Sequence, residues 1–136
     1  MARRETEELK LLDTHVWLWS VDDSPRLSGR FADLISDNPE NVCVSAVSCW
    51  EIAMLHSKGR IDLGAPVSEW FEKVIAQSGI LVLPLTPQIA ADAYSLPGKF
   101  HDDPADRMIV ATARSRDCLL LTEDKKILDY PHVNSA

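Results

Sequence analysis

Short runs of consecutive apolar residues alternate along this chain with longer stretches in which apolar residues recur every three to four positions. Leu9 to Asp13, Val42 to Ser45, Ile80 to Leu83 and Cys118 to Thr122 form the short runs. They are continuous instead of alternating, the pattern of parallel strands covered on both faces. The stretches between them begin with helix-start signals: Ser28 ahead of Phe31, Leu34 and Ile35; Ser45 ahead of a long apolar helix; Pro66 ahead of Trp70, Phe71, Val74 and Ile75; Thr86 with Pro87; and Asp103 with Pro104. Strand and helix thus alternate, which predicts an α/β fold: a central, mainly parallel sheet flanked by helices in an α/β/α sandwich. In that architecture the working site lies at the carboxyl ends of the strands. Pro97 and Gly98 mark a loop, and a weaker final strand is expected near His132 and Val133. The chain shows no internal repeat, low-complexity tract or interdomain linker.

Composition narrows this picture. At 136 residues, 46% of them hydrophobic, the chain suits one globular domain spanning 9–136, with residues 1–8 as a flexible N-terminal extension. The opening MARRETEELK is polar and no apolar stretch reaches the length of a membrane span, so a cytoplasmic protein with no membrane partner is expected. Cys43, Cys49 and Cys118 are odd in number, lie inside apolar runs and lack CxxC spacing; buried free thiols are expected. A net charge of −7 tells against broad affinity for phosphate backbones. Local clusters at Lys58 with Arg60, Arg107 with Arg114 and Arg116, and Lys125 with Lys126 are candidates for a positive rim, though ordinary solvated charge is the favoured reading.

The candidate chemistry is acidic. Asp13, Glu51, Asp106 and Asp124 each stand at or just after the end of an apolar run, and such positions converge on one rim of a parallel sheet. Asp13 is the only charge between Leu11 and Val21 apart from any carried by His15, and Glu51 the only one from Val42 to Leu55. A carboxylate in such company is costly unless paired, protonated or bound to a cation. Each acid also has a structural reading. Asp13 suits an N-cap for a helix through Val16, Trp17 and Leu18. Glu51 would complete a capping box with Ser48, but if Ser45 is the cap it lies in the second turn, stacked with Val47 and Leu55. In DPADR, Asp103 suits the N-cap and Pro104 the first helical position; Arg107 is placed to pair with Asp103, and Asp106 shares a stripe with Ile109, Val110 and Ala113. Asp103 is therefore assigned to helix capping and Asp106 to chemistry. In TED, Glu123 is expected to turn outward, and Asp124 suits a turn or cap as well as it suits a ligand.

Taken in order, LLDTHVWLW, SAVSCWEIAMLHSKGRIDL, DPADRMIVATA and LLLTEDKKI resemble the PIN-domain ribonucleases, most closely the VapC-type toxins of bacterial and archaeal toxin-antitoxin systems. The resemblance runs from about Leu9 to Tyr130. It implies a PIN-like nuclease domain whose acidic quartet falls on Asp13, Glu51, Asp106 and Asp124, with polar helpers at Thr14, Ser45 and Thr122. It further implies RNA as substrate, cut to leave a 5′-phosphate and a 3′-hydroxyl; a VapB-like antitoxin; and a homodimer, with Trp17, Trp19 and the helix after Ser45 as candidate contact sources. Relatives with the WEIA segment often carry lysine where this chain has Leu55, and arginine where it has Asp102. Both departures remove positive charge, leaving Lys58, Arg107 and Lys125 as the candidates for an RNA rim.

Several carboxylates without a cation repel one another, and a hard divalent ion accepts their oxygens, so Mg²⁺ or Mn²⁺ is the expected cofactor. Other readings have weaker support. Asp13-Thr14-His15 matches the D-x-H of dinuclear metallophosphoesterases, but the later Asn-His element is absent; His56, His101 and His132 show no ligand spacing. A haloacid-dehalogenase phosphatase would need a second Asp at position 15. A noncatalytic RNA- or protein-binding module with this fold is the main rival, separated by metal-dependent cleavage of RNA; a metallophosphatase is separated by a chromogenic phosphate ester. The four tryptophans read as core or dimer contacts before base-stacking platforms.

Overall fold

The structure, a computed structural model, describes residues 8–136; nearly all of the N-terminal extension read over 1–8 lies outside them. Four short strands form one fully parallel sheet in the order β3-β2-β1-β4. They are β1 (Lys10–Leu12), β2 (Val42–Ser45), β3 (Leu81–Leu83) and β4 (Leu119–Leu121). Their side chains alternate between two cores. Leu11, Cys43, Leu83 and Leu120 face one helical layer, and Leu12, Val42, Val44 and Leu121 face the other. That division explains why the strands read as unbroken apolar runs, and the expected α/β/α sandwich holds.

Among the described residues seven α-helices surround the sheet: α1 (Thr14–Val21), α2 (Gly29–Asp37), α3 (Ala46–Ser57), α4 (Val67–Ser78), α5 (Pro87–Asp92), α6 (Pro104–Ser115) and α7 (Lys125–Leu128). All five start signals lie where helices begin. Ser28, Ser45, Thr86 and Asp103 each accept a backbone N–H from the first turn of α2, α3, α5 and α6. Pro66 ends the approach to α4 without a side-chain bond. Trp17, Trp70 and Phe71 pack ring against ring beneath α1 and α4, so Trp17, at 1% exposure, is core and not a partner contact.

Two expectations shift. β2 coincides with its run of Val42 to Ser45, whereas β1, β3 and β4 are each one or two residues shorter than theirs, β1 and β4 ending where Asp13 and Thr122 lead into the segments that follow. The final strand forms later than His132 and Val133: the chain pairs with β4 only at Asn134 to Ala136, through the bridge Leu120↔Ser135 and bonds joining Leu120 and Thr122 to the chain end. Tyr130 is anchored by its hydroxyl, which donates to Pro97 O at 2.6 Å, and this delays the return of the chain to the sheet edge. No helix among the described residues is long and apolar enough to cross a membrane.

Asp103 Oδ1 accepts the Asp106 amide at 2.9 Å. Asp103→Ala is therefore expected to cost about 0.5–2 kcal/mol in urea unfolding, whereas Asp103→Asn, which keeps an acceptor oxygen, should lose much less. Equal losses in the two variants would show that the cap is not what Asp103 contributes.

Candidate active site

Four segments that are remote in sequence deliver carboxylates to the carboxyl edge of the sheet, where the strand order turns back between β1 and β4. Asp13 leaves β1 as the N-cap of α1, and Asp124 follows β4 as the N-cap of α7. Glu51 projects from the second turn of α3, and Asp106 from the first turn of α6. Together with Asp103 and Glu123 they line one open cleft of about 430 Å³, walled otherwise by Thr14, His15, Val16 and Trp19. Glu123, expected to turn outward, is exposed yet borders the cleft. For Asp13 and Asp124, capping and cleft-lining are the same position: a helix start at a strand end points its first-turn amides, and the side chain that satisfies them, toward the crevice.

A short polar network holds the seam. Thr122 Oγ1 donates to Asp13 Oδ2 at 2.7 Å and accepts from the Asp124 amide at 3.0 Å, joining the ends of β1 and β4. Asp13 Oδ1 accepts from the Thr14 amide at 2.9 Å, and Asp124 Oδ1 from the Lys126 amide at 2.8 Å. The Thr14 and Ser48 hydroxyls share a hydrogen bond at 2.9 Å, tying α1 to α3 beneath the acids. Ser48 was read only as a possible cap. Ser45, expected among the polar helpers, is instead wholly buried with Oγ accepting from the Val47 amide, as the α3 cap.

The electrostatics follow from crowding and burial. Desolvation raises the Asp13 carboxyl above its ordinary range against the bonds from Thr122 and Thr14, and raises Glu51 against a bond from the Thr14 hydroxyl. Asp106 is pushed up to about 7, first by burial and then by repulsion from Asp13, Asp103, Asp124 and Glu51. In the metal-free protein near neutral pH, Asp106 is thus held close to half protonated.

The structure also brings in a residue that spacing did not reveal. His101 Nε2 lies 3.1 Å from Asp106 Oδ2, buried but off the line a hydrogen bond requires. Its Nδ1 accepts the Asp103 amide at 3.3 Å, which places the proton of the neutral ring on Nε2, facing the acid. Ligand atoms of His101, Asp106 and Asp124 all fall within 4.8 Å of one another, so this acidic cluster could bind a metal ion. The only clue in the chain was proximity: His101 stands two residues before the α6 cap, a loop position that periodicity cannot orient.

Arg107 is placed differently from the expectation. Its Nε donates to Ala93 O at 2.7 Å and Nη1 to Phe100 O and His101 O at 3.0 and 3.1 Å, while the guanidinium lies over the Tyr94 ring. It neither pairs with Asp103 nor faces an RNA rim; it clamps the loop carrying His101, because three carbonyls left over by the end of α5 and the loop converge on one guanidinium. Lys58 and Lys125 are exposed, at the C-cap of α3 and the first turn of α7, and neither lines the cleft.

The PIN domain family model matches residues 10–133. Ribonuclease VapC22 of Mycobacterium tuberculosis (strain ATCC 25618 / H37Rv) is 35% identical over 122 residues, which cover 90% of this chain and 92% of that protein. Among solved structures, DNA-bound VapBC from Salmonella typhimurium superposes with a TM-score of 0.70 at 16% identity, covering 95% of this chain and 97% of that one. VapBC2 from Rickettsia felis, bound to a DNA fragment from its promoter, gives 0.69 at 12% identity, with 94% and 97% covered. At those identities the two structures establish the likeness of fold.

The raised Asp106 sets a pH dependence. Below its unfolded pKa of 3.8 both states hold the proton; between 3.8 and about 7 the folded state holds it and the unfolded chain does not. Metal-free stability is therefore greatest in acid as far as this group is concerned and falls as pH rises through that window, by roughly 1–2 kcal/mol once solvent screening of an open cleft is allowed for. Thermal melts in chelator from pH 4.5 to 8 should show that decline in the wild type and a shallower one in Asp106→Asn. Parallel profiles would mean that Asp106 ionises freely in the folded state.

Proposed function

The chain belongs to the PIN-domain family, and we propose on that premise that it is a VapC-like toxin of a type II toxin-antitoxin system: a metal-dependent endoribonuclease that cleaves RNA phosphodiester bonds. The observation that carries this reading is the convergence of Asp13, Glu51, Asp106 and Asp124 on one cleft, with the carboxyls of the first three raised by burial and then by one another's charge. The named ribonuclease that is 35% identical over nine-tenths of the chain supports it.

The donor set fits a hard divalent cation. Carboxylate oxygens predominate, ligand atoms of Asp106 and Asp124 lie with that of His101 within 4.8 Å of one another, and a cation would offset the burial and repulsion that raise the Asp106 carboxyl. We assign Mg²⁺ or Mn²⁺, held by Asp13, Glu51, Asp106 and Asp124 directly or through water. When bound, such an ion lowers the pKa of a water and stabilises charge on the phosphoryl oxygens. The chain's own part is positioning. Thr122 and the Thr14 amide fix both oxygens of Asp13, and Asp124, one oxygen occupied by the α7 amide, keeps the other for the site or for a nucleophilic water. Because Asp106 holds a proton near pH 7, cation uptake there releases it, and affinity rises with pH.

The same reading includes a cytoplasmic location and two partners. A VapB-like antitoxin is supported by the VapBC assemblies with which the fold superposes. A homodimer is supported by an apolar hollow of Ala46, Val47, Trp50, Leu85 and Met108 on and beside α3, where Trp50 is 57% exposed.

Purified protein, free of antitoxin, should cleave RNA with Mg²⁺ or Mn²⁺ and stop on chelation. Asp13→Asn, Glu51→Gln and Asp106→Asn should each abolish cleavage while keeping a cooperative melt. Added metal at a hundred times its Kd should stabilise the wild type by about 2.7 kcal/mol and Asp106→Asn by far less. A folded protein that binds RNA but never cuts it under these conditions would be the noncatalytic module instead.

A further inference from the structure

The acidic cleft does not stand alone on this face. A second hollow, of about 560 Å³, adjoins it, and the two share His15 and Trp19 as walls. These side chains stand one turn apart on the outer face of α1, their rings stacked 19° from parallel with centroids 6.1 Å apart. His15 is exposed and Trp19 half-buried, so the pair is a ledge between the hollows and not part of the core. Beyond it the second hollow is bordered by Arg26 and Arg60. Arg60 is aimed by the end of α3: Gly59, at φ +69, lets the chain reverse, and the Arg60 amide bonds back to Leu55 O at 2.9 Å. Arg26 follows Pro25 in the turn after α1, where its amide donates to Ser24 Oγ at 3.2 Å.

We propose that this second hollow is a subsite for single-stranded RNA: the strand leaves the acidic cleft over the His15–Trp19 ledge, stacks a base there, and meets Arg26 and Arg60 with its phosphates. The proposal rests on the nuclease reading above and extends it to the path of the substrate. Ring faces followed by cations are the general recognition elements of single-stranded nucleic acid, and the volume lies within the usual range of ligand clefts, ~300–1,000 Å³. Charge in the hollow is mixed, since Asp22 and Asp62 also border it. Asp62 is turned to its own backbone, with Oδ1 accepting the Gly64 amide at 2.9 Å, and among the described residues no carboxylate lies within ion-pair distance of either arginine. Two cations without partners beside a stacked ring pair, and next to six acids that would repel phosphate unless metal is bound, give the strand its handhold away from the site of cleavage. They also answer the lost positive charge at Leu55 and Asp102 with residues other than Lys58, Arg107 and Lys125.

The test compares a 12-nucleotide RNA with a minimal nitrophenyl phosphodiester too short to reach the hollow. With Mn²⁺ as activator, Arg26→Ala, Arg60→Ala and Trp19→Ala should each lower the ratio of kcat/KM on RNA to kcat/KM on the diester at least fivefold. In parallel, fluorescence anisotropy of a labelled oligonucleotide on the Asp106→Asn background, from 50 to 300 mM KCl, should show each arginine variant flattening the log–log salt slope by about 0.7, and Trp19→Ala weakening binding with the slope kept. Trp19→Phe, which retains a ring, should recover much of the loss. Ratios within twofold of wild type together with unaltered slopes overturn the proposal and leave the face to a different class of partner, such as a protein segment. If the wild type cleaves neither substrate, the nuclease reading has failed, and the anisotropy series, which needs no cleavage, still decides whether RNA occupies the hollow.

Discussion

Everything at the site depends on one seam, the junction of β1 and β4, where a threonine hydroxyl bridges a buried carboxylate and a backbone amide. Thr122 Oγ1 donates to Asp13 and accepts from the Asp124 amide. Without that bridge, Asp13 would keep only the Thr14 amide as a donor against the cost of burial, and the Asp124 amide at the cap of α7 would lose its acceptor. With it, the two central strands end in a rigid corner, and the corner sets where α1 and α7 begin. The energetic logic is asymmetric: each such bond contributes little net stability, but a buried carboxylate left without donors is costly.

The opposite wall is held by a different device. Asp106 sits on α6, whose start is fixed by Asp103, and His101 lies in the loop just before it. Arg107 secures that loop by donating to carbonyls of Phe100 and His101 while reaching back to Ala93 at the end of α5. A planar guanidinium can satisfy several diverging carbonyls at once, which a lysine ammonium cannot do with the same rigidity. A residue that looked like a surface cation for RNA is thus part of the frame that keeps an imidazole beside Asp106. The positive charge left facing solvent near the cleft belongs to other segments.

This difference shows what could be read from the chain and what could not. The strands and helix starts were legible because both rest on local chemistry: unbroken Leu, Val and Cys runs for a sheet covered on both faces, and Ser28, Ser45, Thr86 and Asp103 for caps. The convergence of the acids was legible because parallel topology sends every strand end to one edge. Ser45 and Ser48 were not separable, since whether α3 begins at one or the other decides which hydroxyl faces Thr14, and both begin plausible helices. His101 and Arg107 were hidden for a deeper reason. Their partners are loop carbonyls and an acid on the next helix, contacts made by tertiary folding with no period in sequence. The late return of the chain to β4 at Asn134 to Ala136 has the same origin, in the anchoring of Tyr130 to Pro97.

The cleft is also where this protein departs from the consistency found elsewhere in its structure. Around it, propensity, capping and packing agree; inside it, six carboxylates line one cleft, and burial followed by their mutual repulsion pushes Asp106 up to about 7. Local rules broken at one place and obeyed around it are what a functional site looks like in physical terms. A rigid frame is needed for that arrangement to last, because carboxylates free to move would separate. Thr122, Ser48 and Arg107 brace the elements that carry them. Burial and mutual repulsion together oppose the ionised forms of these acids, and the hydrogen-bonded frame is what keeps Asp13, Glu51, Asp106 and Asp124 on one cleft.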